Sequence, residues 1–148
     1  VEKNKILKVQ SLLNDCTKDE AHAIISQIED TEILYVYLYN YNWDNGFEIP
    51  QSIIDNNNCD LSIALLMFYR ADGVSYLMDK FCDKNLPHWY SFVKNLYNSI
   101  LNRKYQSGNI EFKIPLSKVQ LYKLKKMLTE KEKIFIENIE GENLCISL

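Results

Sequence analysis

The stretch from Leu61 to Ala71, LSIALLMFYRA, is apolar on almost every face of the helix it would form. An amphipathic helix hides one stripe, whereas a helix that is apolar all round must be covered from every side. This segment is predicted to be the central, most buried helix, with Asp60 as its N-cap and Gly73 ending or interrupting it. The remainder of the chain has to supply the cover. Glycine and proline are scarce, at four and three, which argues against a turn-rich sandwich or barrel. With 148 residues and a 47 % hydrophobic fraction, the chain can build one domain around a true core.

Helical spacing recurs on both sides of that segment. Ile6, Val9, Leu12 and Leu13 predict a helix over 3–14. Thr17 and Glu20 form a capping box ahead of Ala21, Ile24, Ile25 and Ile28, which predicts a second helix over 18–29. Thr31 is placed to cap a third. The interior of that third element, ILYVYLYNY, also reads as strand by propensity, and its helical neighbours and short linker favour helix. NWDNG is a turn centred on Asn45 and Gly46. Pro50 suits the N1 position of a short helix over 51–56, and a further short helix is expected in VSYLMDKF. Pro87 opens a long helix to about Lys104, with a stripe of Trp89, Phe92, Val93, Leu96, Ile100 and Leu101. Residues 110–115 read as a short extended segment. Capping boxes at Ser117/Gln120 and Thr129/Glu132 follow, and beyond Lys133 a last helix and a hairpin at Glu140–Gly141 remain equally open. The fold class expected is all-α: a single domain over 1–148, built as an irregular helical bundle or a short solenoid of helix pairs.

Charge is distributed unevenly. No lysine or arginine occurs between Lys18 and Arg70, a stretch that holds nine carboxylates: Asp19, Glu20, Glu29, Asp30, Glu32, Asp44, Glu48, Asp55 and Asp60. The rest of the chain is basic, so the formal total is only -3. Such a field repels nucleic acid and attracts a basic partner; the plainer reading is a solvated acidic face. Tyr35, Tyr37, Tyr39, Tyr41 and Trp43 alternate within the same half. One helix face cannot bury every ring, so some should reach the surface as interface anchors; for any single ring the plainer reading is a core position with its hydroxyl at the rim. The expected partner contacts are Glu29, Asp30, Glu32, Tyr35, Tyr39, Asp44 and Glu48.

A search for chemistry finds little. His22 and His88 are far apart in sequence and in no metal-ligand spacing. Cys16, Cys59, Cys82 and Cys145 form no CxxC pair. Counting allows two disulfides, but the abundant core material and the lack of a secretory h-region favour reduced, mostly buried thiols. Cys59 or Cys82 with His88 as base would be an unsupported nucleophile pair. GxSxG, GxGxxG and GxxxxGK[ST] are all absent. Lys118, Lys123, Lys125, Lys126, Lys131 and Lys133 read as the wet face of a helix, not as a nucleic-acid site. No apolar run is long enough to span a membrane. These observations predict no cofactor, no metal, no catalytic set, no direct binding of nucleic acid or membrane, and a cytoplasmic location.

The segment YNWDNGFEIPQSIIDNNNCDLSIALLMFYRADG resembles the bacterial family known as domain of unknown function 4274. The matching positions are Trp43, Asp44, Gly46, Pro50, Cys59, Asp60, Leu61, Ala64, Leu65, Phe68, Ala71, Asp72 and Gly73. The likeness fades towards both ends. It implies no established enzyme activity, and small acidic proteins of this kind look like immunity proteins, the inhibitors encoded beside polymorphic or contact-delivered toxins. That step is an analogy. The expectation is therefore a non-enzymatic immunity protein that binds a cognate toxin domain, one with a basic nuclease groove. Two alternatives stand beside it: a small hydrolase or ligand-binding domain with a carboxylate pocket of Trp43, Asp44, Asp60 and Asp72, and a helical adaptor.

Overall fold

A computed structural model describes residues 1–81 and 85–148. Cys82, weighed above as a nucleophile, lies outside the described residues. The helices are α1 (Lys3–Asn14), α2 (Lys18–Ile25), α3 (Thr31–Tyr39), α4 (Glu48–Asp55), α5 (Leu61–Arg70), α6 (Gly73–Met78), α7 (Pro87–Leu101) and α8 (Lys118–Met127), with 3-10 turns at Trp43–Asn45 and Lys131–Ile136. Among the described residues there is no strand. The extended segment after Gly108 makes only isolated bridges, Ile110 with Glu142 and Phe112 with Ile139. The all-α expectation holds.

The helices stack in alternation. α1 packs on α3, α3 on α5 and α5 on α7, while α2 packs on α4. This is the arrangement of a short solenoid of helix pairs. α5 lies in the middle of the odd-numbered row, and every residue from Leu61 to Phe68 is buried. Its N-terminus is closed by Asp60, whose Oδ1 accepts from the Ile63 N–H at 2.9 Å. One hydrophobic core runs from Val9 to Leu144.

Several boundaries differ from the sequence reading. α2 stops at Ile25 rather than 29, because the buried Asn56 side chain donates to the carbonyls of Ile25 and Ile28, both at 2.9 Å. α3 is capped by Asp30, not Thr31; the Asp30 carboxylate accepts from the Glu32 N–H at 2.9 Å. α4 begins at Glu48, which places Pro50 two residues further in, still within the first turn where no N–H is needed. α5 ends at Arg70; Asp72 takes the left-handed conformation at φ 60°, and Gly73 opens α6. The long helix α7 ends at Leu101, three residues short of the expected end. The carboxy-terminal segment is neither helix nor hairpin. The Thr129/Glu132 box forms, but it starts a 3-10 turn. The chain then returns to pair with residues 109–112.

Two buried contacts lock this arrangement. A Cβ on Gly73 would stand 2.5 Å from the Phe68 ring, which itself packs on Phe135 at 4.8 Å. Glu132, 4 % exposed, receives the Tyr97 hydroxyl at 2.7 Å and the Lys80 ammonium at 3.0 Å. Burial works against its charge, but the Thr129 N–H, Tyr97 and Lys80 outweigh that and hold the carboxyl at about 2, below its ordinary 4.5.

Replacing Gly73 by alanine overpacks the core and should cost about 2 kcal/mol, a fall of roughly 5 °C in melting temperature by circular dichroism. Glu132→Gln should cost about 2 kcal/mol in urea unfolding at pH 7. Because the folded value is depressed, that stabilisation is complete above the unfolded value and is lost as pH falls towards about 2. The difference between wild type and variant should therefore close between pH 4.5 and pH 2.

Candidate functional site

The expected partner residues separate into three settings. Asp30 and Glu32 are held by one cation from outside the lysine-free stretch: Lys5 Nζ lies 2.9 Å from Asp30 and 3.3 Å from Glu32. For Asp30, burial opposes the charge, yet the Lys5 bond and the Glu32 N–H keep its carboxyl below the ordinary value. Neither is a free charge. Glu29 and Asp44 remain exposed, and Glu48 is exposed while pairing with Lys18 at 3.2 Å. Tyr35 is 1 % exposed, which removes it as a surface anchor. Burial, foremost, raises its phenol above the usual range. Tyr37 and Tyr41 are buried as well, each pushed by burial to about 12. Tyr39 is half-buried beneath Arg70, whose guanidinium carbon sits 4.5 Å from the ring centre. Most rings in this half are core, the plainer of the two readings, and of the alternating tyrosines Tyr39 alone is half-exposed.

Trp43, Asp44, Asp60 and Asp72 do not share a cavity. Asp44 lies in the 3-10 turn, Asp60 is a buried cap, and Asp72 accepts from the Ser75 hydroxyl at 2.7 Å. Trp43 packs edge-on against Tyr41 at 5.3 Å and Phe47 at 6.1 Å. Cys16, Cys59 and Cys145 are free thiols, but Cys145 is exposed, not buried. Burial pushes the Cys59 thiol far above its usual range, which makes it inert. No group of histidine, cysteine and carboxylate side chains among the described residues could hold a metal. The α8 lysines lie on its wet face, as expected.

What the acidic half does build is a groove of about 930 Å³ between α2, α4 and the start of α7. Asp19 and His22 come from α2, Glu48 and Gln51 from α4, and His88 and Asn95 from α7. Its lining contains no lysine or arginine. The apolar part is Phe47 and Phe92, whose rings meet at 4.8 Å with a tilt of 33°. Those rings end a chain of aromatic contacts that starts at Tyr37 and passes through Tyr41 and Trp43. Gly46, at φ 87°, makes the turn that brings Phe47 round. A smaller hollow of about 160 Å³ shares His22, Glu48 and Gln51 and adds Asp55. The two histidines, remote in sequence, thus line one groove. Ser52 and His22 Nδ1 share a hydrogen bond across the α2–α4 seam. Of the expected contacts Glu29, Asp30, Glu32, Tyr35, Tyr39, Asp44 and Glu48, only Glu48 lines this groove; Asp19 and Asp55, counted in the acidic stretch but not among the contacts, and Phe47 and Phe92 were missed because their convergence is tertiary.

Asn56 holds this site together. Besides tying off α2, its Oδ1 accepts from the Asn58 N–H at 2.8 Å. Asn56→Ala removes a donor from each of the Ile25 and Ile28 carbonyls, leaving them the Ile28 N–H at 3.2 Å and the Asn58 side chain at 3.5 Å, and removes the acceptor of the Asn58 N–H; it should cost about 2 kcal/mol in urea unfolding, with faster amide exchange at the end of α2.

Residues 29–101 match the family model described as Domain of unknown function (DUF4274). No curated protein and no solved structure matches the chain.

Proposed function

We propose, from the chain's place in the DUF4274 family through residues 29–101, that it is an immunity protein: a cytoplasmic, non-enzymatic inhibitor that neutralises a cognate bacterial toxin. The groove between α2, α4 and α7 seats a basic segment of the toxin. The observation that carries this reading is the groove's lining, with Asp19 and Glu48 at its sides, Phe47 and Phe92 as its apolar part, and no lysine or arginine, although Lys18 pairs with Glu48 at 3.2 Å from beside it. A charged wall around aromatic rings steers a cationic segment in and gives it something to pack on. A nuclease fits best as target, because an enzyme that holds a polyanion must present clustered lysine and arginine. Occupying that cluster competes with its substrate for charge.

No helix of the described residues is long and apolar enough to cross a membrane, and the groove requires no lipid. The adaptor reading shares the groove and differs only in the partner's identity.

The test is to co-purify the chain with the protein encoded beside it and to measure affinity and rescue from toxicity. A tight complex that rescues growth is expected. The double reversal Asp19→Lys, Glu48→Lys should weaken it about 100-fold or more, and Glu29→Lys less than about threefold. Raising salt should slow association. Absence of a complex, or a complex indifferent to the double reversal, overturns the proposal.

A further inference from the structure

Between α3, α5 and the segment after Gly108, the structure carries a second cavity that the proposed groove does not use. It encloses about 510 Å³, within the range of small-molecule sites. Tyr35, Tyr39 and Leu66 line it from α3 and α5, and Phe112 and Leu116 from the extended segment that follows Gly108. The carboxy-terminal tail forms its edge at Asn143 and Cys145. That edge is tied down: Asn40 donates to the Ile146 carbonyl at 2.7 Å and accepts from the Leu148 N–H at 2.8 Å.

The polar groups of this cavity are few and unbalanced. Glu111 and Lys113 offset one another, 3.6 Å apart. Arg70 has no such partner: among the described residues no carboxylate lies within ion-pair distance of it. Among the described residues it donates to the Tyr39 carbonyl at 3.3 Å, and its guanidinium carbon sits 4.5 Å from the centre of the Tyr39 ring. The ring contact and the carbonyl bond hold the guanidinium at the cavity and leave other N–H groups to serve a ligand. Arg70 is also close enough to the Tyr35 hydroxyl to oppose the effect of burial on it. The Tyr69 hydroxyl is already spent on the Phe135 carbonyl at 2.6 Å. The cavity is thus largely aromatic and apolar, with Gln120 and Asn143 in its lining and one cation that no carboxylate pairs among the described residues.

We infer that this cavity is a binding site for a small aromatic molecule bearing a single anionic group, its ring against Tyr39, Leu66 and Phe112 and its anion on Arg70. The Cys145 thiol on the cavity edge serves as a reporter of occupancy; its Sγ lies 4.0 Å from the Tyr35 hydroxyl.

Two fluorescent probes of similar shape separate the contributions: anilinonaphthalene sulfonate, which is anionic, and phenylnaphthylamine, which is neutral. The sulfonate should bind at one site per chain, more tightly than the neutral probe, and should slow alkylation of Cys145 by iodoacetamide, read by peptide mass spectrometry. Arg70→Met should weaken the sulfonate about tenfold and leave the neutral probe unchanged. Arg70→Lys, which keeps a charge but not the planar fork, should fall between. Equal affinity of the two probes for the wild-type protein, or sulfonate binding without protection of Cys145, overturns the inference. So does an Arg70→Met variant that loses both probes alike while keeping its helical circular dichroism. If the variant fails to fold, the wild-type comparison alone decides.

Discussion

The fold answers one constraint: a helix with no polar side. From Leu61 to Phe68 every side chain of α5 is out of water, and such a helix is stable only if neighbours enclose it. α3 and α7 flank it in the stacked row, α4 and α6 adjoin it, and Phe135 from the last 3-10 turn closes on Phe68. The N-terminal end is sealed by Asp60. Its second oxygen is buried without a partner, and burial, foremost, raises its carboxyl above the ordinary range. The chain accepts a poorly satisfied carboxylate there because an uncapped buried helix end would leave still more N–H groups without partners.

Both cavities are by-products of that enclosure. Helices stacked in alternation leave valleys between the rows, and the residues that line a valley come from elements distant in sequence. The groove takes its two carboxylates, Asp19 and Glu48, from the lysine-free stretch and shares its aromatic base, Phe47 and Phe92, between that stretch and α7. The second cavity meets Arg70, the first cation after that stretch, and becomes an aromatic cavity with a positive group. The same charge asymmetry along the chain gives the two cavities opposite character.

The sequence was most informative where a feature is local. α1, the boxes at Thr17 and Ser117, Pro87 at the start of α7, and the all-round apolar α5 follow from spacing and capping alone. It failed where a distant group intervened. Asn56 cuts α2 short from 31 residues away, and nothing within α2 announces this. Lys5 neutralises Asp30 and Glu32 from outside the stretch that looked free of cations. Which tyrosines would be core and which would reach the surface could not be read, because helical periodicity cannot show that α1 and α5 pack on α3 while the carboxy-terminal tail meets Tyr35 and Asn40. The groove was invisible for the same reason: Asp19, Glu48 and His88 share no window of sequence. The family motif marks its scaffold, since Trp43, Gly46 and Pro50 set the turn that presents Phe47.

The central claim is that the α2–α4–α7 groove, and not the start of α3, is the surface that meets the partner. Hydrogen–deuterium exchange on the chain, alone and with the neighbouring gene product, tests this directly. The account predicts slowed exchange in α2, around Phe47 to Asp55 and at the start of α7, with the Glu29–Glu32 segment unchanged. Protection confined to Glu29–Glu32 and the tyrosines of α3, with none in the groove, would contradict it.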